Sequence, residues 1–131
     1  MGNKEVLANE TITIGVWPIK EHFGVWYNLD SVYIEEYNKY PERVSVSIGI
    51  DYNDINKISQ IINDNNKWNL FFNCAKFAFK VWNSVAEESE KIANKAFISP
   101  SYLVKEINKF DEYVFAQEIK TSNIICFHGE R

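Results

Sequence analysis

The chain has 131 residues, a formal net charge of −4 and a hydrophobic fraction of 46%, which together indicate one globular domain, spanning residues 1–131, with a sizeable core. The acidic balance disfavours nucleic acid and anionic membrane surfaces as partners, and no apolar run approaches the roughly 20 residues that span a bilayer. Two histidines, and two cysteines without CxxC or HExxH spacing, argue against a metal site, and we predict no cofactor. The first ten residues have no apolar segment of signal-peptide type, so we expect a cytoplasmic location.

The first half of the chain predicts three strands. Residues 11–17 are rich in β-branched side chains, and Pro18 is expected to end this strand because proline cannot donate to a ladder. A loop containing His22 follows, and then a short strand over residues 25–27. Residues 44–50 alternate apolar and polar side chains, which is the clearest strand signal in the chain.

The second half predicts helices. Isoleucines recur at helical spacing over residues 55–62, after a cap at Asp51 or Asn53. A second helix is predicted over residues 73–90. Ser99 followed by proline predicts the start of a third, short helix.

The tail adds one or two predicted strands, within residues 113–116 and 123–127. Strands first, then helices, then a returning strand indicate an α+β domain, in which a small antiparallel sheet packs against helices.

Cys74 is the strongest candidate for chemistry. It follows Asn73, a preferred N-cap residue, at a position where unpaired amides and the helix dipole favour thiolate over thiol. Such a cysteine can act as the nucleophile of acyl transfer. The alternative is packing, because Cys74 shares a helical stripe with Ala78 and Val81 and free cysteines are often buried. The pattern leaves both alternatives open.

Several short motifs follow one another over residues 11–107. They are Gly15-Val16-Trp17-Pro18, Gly24-Val25 with Asn28, the lead-in of Trp68 and Leu70, Asn73-Cys74-Ala75 with Phe77 and Ala78, and residues 99–103. In this order they resemble the circularly permuted branch of the NlpC/P60 superfamily of papain-like cysteine hydrolases. The resemblance implies a papain-like fold, a thiolate nucleophile at Cys74, a general-base histidine, and hydrolysis or transfer of an amide or ester acyl group, with a peptide or amide as substrate.

The general base is where the sequence departs from this family. The family's histidine lies on a strand upstream of the Trp-Pro element, and the ten residues there contain none. Either that first strand is missing from this chain or the base has been lost. His22, just past the Trp-Pro strand, is the replacement that we predict, and His128 is the second choice. The alternatives are a solvated loop for His22 and a frayed terminus for His128.

Four acidic residues are weaker candidates for orienting an imidazole. They are Glu21, Asp30, Glu35 and Glu36. The simpler interpretation of each is a solvated loop carboxylate. Cys126 is predicted to be buried packing, and both cysteines are predicted to be free thiols.

Two functions follow. The first is a cysteine peptidase or amidase with Cys74 as nucleophile and His22 as base. The second is a catalytically silent or truncated relative that serves as a binding or assembly module. A missing edge strand would also expose a sheet edge, which predicts a homodimer through that edge.

Overall fold

The computed structural model describes residues 11–64, 73–121 and 124–128. Within these ranges the chain forms four α-helices and two small antiparallel sheets. The predicted α+β class and the antiparallel pairing are therefore confirmed. The predicted lead-in at Trp68 and Leu70 lies outside the described residues, as does Asn123 of the predicted last strand.

A hairpin forms the larger sheet. Strand β1 (Ile14–Ile19) pairs with β2 (His22–Tyr27) through a two-residue turn. The prediction that Pro18 ends the first strand is wrong, because Pro18 pairs with Phe23 inside β1. Proline is tolerated there since β1 is the last strand on its side of the described sheet. The strand β5 (Cys126–Phe127) pairs with the opposite side of β2.

The second sheet is shorter than the sequence predicts. Among the described residues, strand β3 (Val44–Ser45) pairs only with the two residues of β4 (Val114–Phe115). The prediction of a strand continuing to residue 50 is wrong, since residues 46–50 have no regular secondary structure. Alternation alone cannot hold a strand that lacks a pairing partner. Four of these residues, Val46, Ser47, Ile48 and Ile50, line a cavity instead.

Helices are present where capping residues and apolar spacing in the sequence predict them. The four are α1 (Leu29–Glu35), α2 (Tyr52–Asp64), α3 (Cys74–Val85) and α4 (Pro100–Ile107), with a 3₁₀ turn at Glu88–Glu90. The first turn of α2 is closed by reciprocal bonds, since Asp54 N donates to Asp51 Oδ1 at 2.9 Å and Asp51 N donates to Asp54 Oδ2 at 3.0 Å. Ser99 Oγ accepts from Tyr102 N at 3.1 Å at the start of α4.

Helix α3 is central to the core. Its Phe77 packs with Val16, Val25 and Ile62 in one cluster of buried side chains. Two further buried residues of α3 belong to a second cluster, which contains Ala75, Phe79, Ile92 and Ile98. Helix α3 contacts both β1 and α2, and Cys74 is its first residue.

Candidate functional site at Cys74

The start of α3 is built by Asn73. Its side chain is buried, and its Oδ1 accepts from the backbone N–H of Lys76 at 2.8 Å. This confirms the predicted N-cap. Cys74 is the first helical residue, and it is a free cysteine that is exposed as a residue while its sulfur is partly buried. The sulfur faces the backbone amides of Ala75 and of Cys74 itself, and both contacts lower its pKa.

Cys74 lines a cavity of about 520 Å³ that is partly open to solvent. Aliphatic and aromatic side chains dominate its wall, among them Ile14, Val46, Ile48, Ile58, Ile62 and Phe77. The polar lining groups include Asp30, Ser47 and Cys74. Within the described part of the chain, none of the lining residues is a lysine, an arginine or a histidine.

Asp30 is the charged residue among the described residues that line this cavity. Burial raises the pKa of its carboxyl from the ordinary 3.8 to about 6, although the indole N–H of Trp17 and its own backbone amide lower that pKa. Within the described structure, Asp30 Oδ2 and Trp17 Nε1 are both buried without a hydrogen-bond partner. The Trp17 indole N–H is thus the donor that acts on the Asp30 carboxyl, although the geometry falls outside that of a regular hydrogen bond.

Gly15 makes room for this carboxyl. A Cβ atom at position 15 would lie 3.0 Å from Asp30 Cγ and closer still to Oδ2. Any larger residue at this position of β1 would displace the Asp30 side chain. Gly15, the glycine of the Gly-x-Trp-Pro element, therefore allows β1 and α1 to approach each other closely.

Asn28 forms the connection between β2 and the helix that carries Asp30. It adopts the left-handed conformation (φ 66°) between β2 and α1. Its buried side chain accepts from Thr13 N at 3.2 Å and donates to the carbonyl of Ile124 at 3.0 Å. These bonds tie the start of α1, the helix that carries Asp30, to the residue before β1 and to Ile124.

Three titratable groups interact at this site. Burial raises the pKa of the Cys74 thiol, and the negative charge of Asp30 raises it further, against the two backbone amides. Burial also raises the pKa of Tyr40, with additional contributions from Asp30 and Cys74. The net effect on Cys74 favours the protonated thiol. This is the opposite of the thiolate that the helix position alone favours.

His22 lies elsewhere on the hairpin. It is the first residue of β2 and pairs with Ile19, and its ring meets Trp26 edge-on at a centroid distance of 4.6 Å. The cavity meets β1 at its other end, at Ile14 and Gly15. Gly15 and Ile19, the partner of His22, are four residues apart, which corresponds to roughly 13 Å along an extended strand. The structure thus brings Asp30, and not His22, to the cavity that Cys74 lines.

His128 connects two elements instead of lining the cavity. Its Nδ1 lies 2.7 Å from the hydroxyl of Tyr27, and its Nε2 lies 2.8 Å from Asn63 Oδ1. The expectation of a frayed terminal residue is wrong, because these contacts tie the end of β5 to β2 and α2. The two contacts give His128 a structural role.

The remaining sequence expectations concern thiols, metals and membranes. Cys126 is exposed, so the prediction that it is buried is wrong, while both cysteines are free as predicted. Among the described residues, no group of three or more His, Cys, Asp or Glu side chains is arranged to hold a metal ion. None of the helices in the described ranges has the length and apolarity needed to cross a bilayer.

The sequence offers little that identifies Asp30 as a site residue. It appears there as one of several acidic residues outside any predicted element. Its burial depends on Gly15 of β1, which is a contact between distant parts of the chain. Asn28 is the one local signal, because it adopts the left-handed conformation in the tight connection between β2 and α1.

Comparison with other proteins does not identify a family. No family model matches the chain, and no curated protein or solved structure matches it. The resemblance to permuted NlpC/P60 hydrolases therefore stays a prediction that rests on the motifs themselves.

Proposed function

We propose that this chain is a binding module whose cavity takes an apolar ligand, with Cys74 as a mostly protonated thiol in the cavity wall. The observation that carries the proposal is the cavity itself. Its volume of about 520 Å³ lies within the roughly 300–1,000 Å³ range of small-molecule sites. A predominantly apolar wall with few polar groups is also typical of such sites.

The ionisation of Cys74 supports a silent thiol. The thiolate is the nucleophile in cysteine catalysis, and here burial and Asp30 both raise the pKa of the thiol. No imidazole is among the described lining residues of the cavity. A general base contributes typically about a hundredfold to ten-thousandfold in rate, and the thiol lacks this assistance from a histidine in the cavity.

A second candidate function is a cysteine hydrolase that acts on an amide or ester acyl group. The specific observation in its favour is the capped start of α3, where the amides of Cys74 and Ala75 face the sulfur. Such amides are natural donors to an oxyanion. In this function Cys74 would be the nucleophile, and either Asp30 in the cavity or His22, if the hairpin end moved, would be the base.

A fluorescence titration with the neutral apolar probe N-phenyl-1-naphthylamine tests the proposed function. We expect saturable binding to the wild-type chain. Ala78→Phe, which fills the cavity from α3, should weaken that binding by at least about tenfold. Ala93→Phe, at an exposed position outside the cavity, is the matched control and should leave it unchanged.

Two results would reject the binding function. One is the absence of saturable binding, and the other is equal binding by the Ala78→Phe and wild-type chains. The second candidate is tested separately, with an acyl anilide as substrate and Cys74→Ala as the control. Turnover that disappears in Cys74→Ala would establish the hydrolase in place of the silent module.

A further inference from the structure

The cavity at Cys74 is long in one direction, along helix α3. Residues of α3 that recur at helical spacing line it and form one stripe over three turns of the helix. They are Cys74, Phe77, Ala78, Val81, Trp82 and Val85. Eleven residue steps of about 1.5 Å separate Cys74 from Val85, so the stripe is roughly 16 Å long. An elongated occupant can contact the whole stripe.

The two ends of the stripe differ in polarity. Next to Cys74 the cavity is also lined by Asp30, whose charge acts on the sulfur of Cys74. The other end of the stripe is formed by Trp82 and Val85, and the indole N–H of Trp82 is already paired, since it donates to the carbonyl of Glu90 at 2.8 Å. Burial of an unpaired polar group costs free energy. A polar group of the occupant is therefore better placed at the Cys74 end.

The side walls of the cavity are aliphatic. They include Ile58 and Ile62 of α2 and Ile48 and Ile50 of the irregular segment before α2. Ile50 is 45% exposed, and removal of such apolar surface from water is favourable in proportion to its area. A chain of methylene groups along the stripe would contact these side chains together, whereas a compact ligand would reach a part of them.

We propose that the occupant is an unbranched alkyl chain of about twelve carbons that ends in a small polar group, with the polar group at Cys74 and the chain end at Val85. This inference rests on the proposed binding function and names its ligand class. Carbon–carbon bonds of about 1.5 Å at tetrahedral angles advance a chain by roughly 1.25 Å per carbon, so about twelve carbons span the stripe.

Displacement of N-phenyl-1-naphthylamine by linear alcohols tests the length of the occupant on the full chain. Affinity should rise by about fourfold per methylene group from 1-hexanol to 1-dodecanol and should level off for longer alcohols, which extend beyond the cavity. Cyclododecanol has the same number of carbons in a compact ring. It should bind at least about tenfold more weakly than 1-dodecanol.

Val85→Phe tests where the chain end lies. The larger side chain shortens the cavity at its apolar end, so the affinity for 1-dodecanol should fall by at least about tenfold while the affinity for 1-hexanol stays unchanged. Val104→Phe is the matched control, because Val104 is exposed on α4 and does not line the cavity. It should change neither affinity.

A bromine atom on the last carbon of dodecanol reports the position of the chain end by a second route. Bromine quenches a nearby indole, so this ligand should quench the fluorescence of Trp82 at the apolar end of the stripe. The quenching should be lost in Trp82→Phe. It should be retained in Trp26→Phe, because Trp26 lies on β2 and is not among the lining residues.

The outcomes separate the ligand class from the binding function. If cyclododecanol binds as tightly as 1-dodecanol, or if Val85→Phe affects 1-dodecanol and 1-hexanol alike, the cavity still binds apolar ligands and the alkyl-chain inference is overturned. Quenching that persists in Trp82→Phe overturns it as well. If neither the fluorescent probe nor the brominated alcohol binds, both the inference and the proposed function fail.

Discussion

Cys74 and Asp30 line the same cavity, and the carboxylate of Asp30 raises the pKa of the Cys74 thiol. A cysteine poised for catalysis usually has a positive neighbour that favours the thiolate. Here the neighbour is negative, and the helix start that would activate the thiol is opposed by burial and by this charge. Ionisation of Asp30 therefore favours the protonated thiol of Cys74.

Asp30→Asn should stabilise the protein at neutral pH. The folded pKa of about 6 lies above the ordinary 3.8, so the ionised carboxylate disfavours the folded state. This cost is absent below about pH 3.8 and complete above about pH 6. The difference between the two pKa values corresponds to about 3 kcal/mol, which is the upper limit of the gain at pH 7.5.

Urea denaturation at pH 7.5 and at pH 3.8 measures this effect. The gain should be present at the higher pH and should largely vanish at the lower one. Asp111→Asn, at an exposed position, is the control and should change the free energy of unfolding little at either pH. A lower free energy of unfolding for Asp30→Asn at pH 7.5 would contradict the prediction, because it would mean that the ionised carboxylate stabilises the folded protein.

Gly15→Ala should displace the Asp30 carboxyl. The new methyl group would overlap that carboxyl, and overpacking of this kind costs typically about 1–3 kcal/mol. Gly49→Ala is the matched control, because a Cβ atom at Gly49 meets nothing within 4 Å. Thermal unfolding of the two variants should show a clear loss for Gly15→Ala alone. Equal melting temperatures would contradict the close approach of β1 to α1.

Asn73→Ala should destabilise α3 by removing its N-cap. The lost bond from Lys76 N to Asn73 Oδ1 predicts a decrease of about 1 kcal/mol in the free energy of unfolding. Ser99→Ala removes the equivalent cap of α4 and provides a comparison for a helix farther from the cavity. Guanidinium denaturation of both variants measures the two costs, and an unchanged midpoint for Asn73→Ala would show that the cap is dispensable.

The features that could be predicted from the sequence are local ones. Asn73 and the Ser99-Pro100 pair mark helix starts by capping chemistry, which depends on residues within one turn. The strand predicted over residues 44–50 depends on a partner strand, and that partner contains only two residues.

The candidate site was predictable only in part, for the same reason. The sequence predicts Cys74 as a site residue because its signal lies in the adjacent asparagine. Asp30 acquires its role through Gly15, which is distant in sequence, and His22 lies away from the cavity because the hairpin extends past Pro18. Contacts between distant segments determine which titratable groups meet, and local patterns do not encode them.

The most direct test of a silent thiol is the pH dependence of Cys74 alkylation by iodoacetamide, followed by mass spectrometry with Cys126 as the internal comparison. We predict a midpoint above the ordinary value for a cysteine, a lower midpoint in Asp30→Asn, and no change in His22→Ala. Rapid labelling of Cys74 below about pH 7 that slows in His22→Ala would contradict the account and would make His22 the base of a cysteine hydrolase.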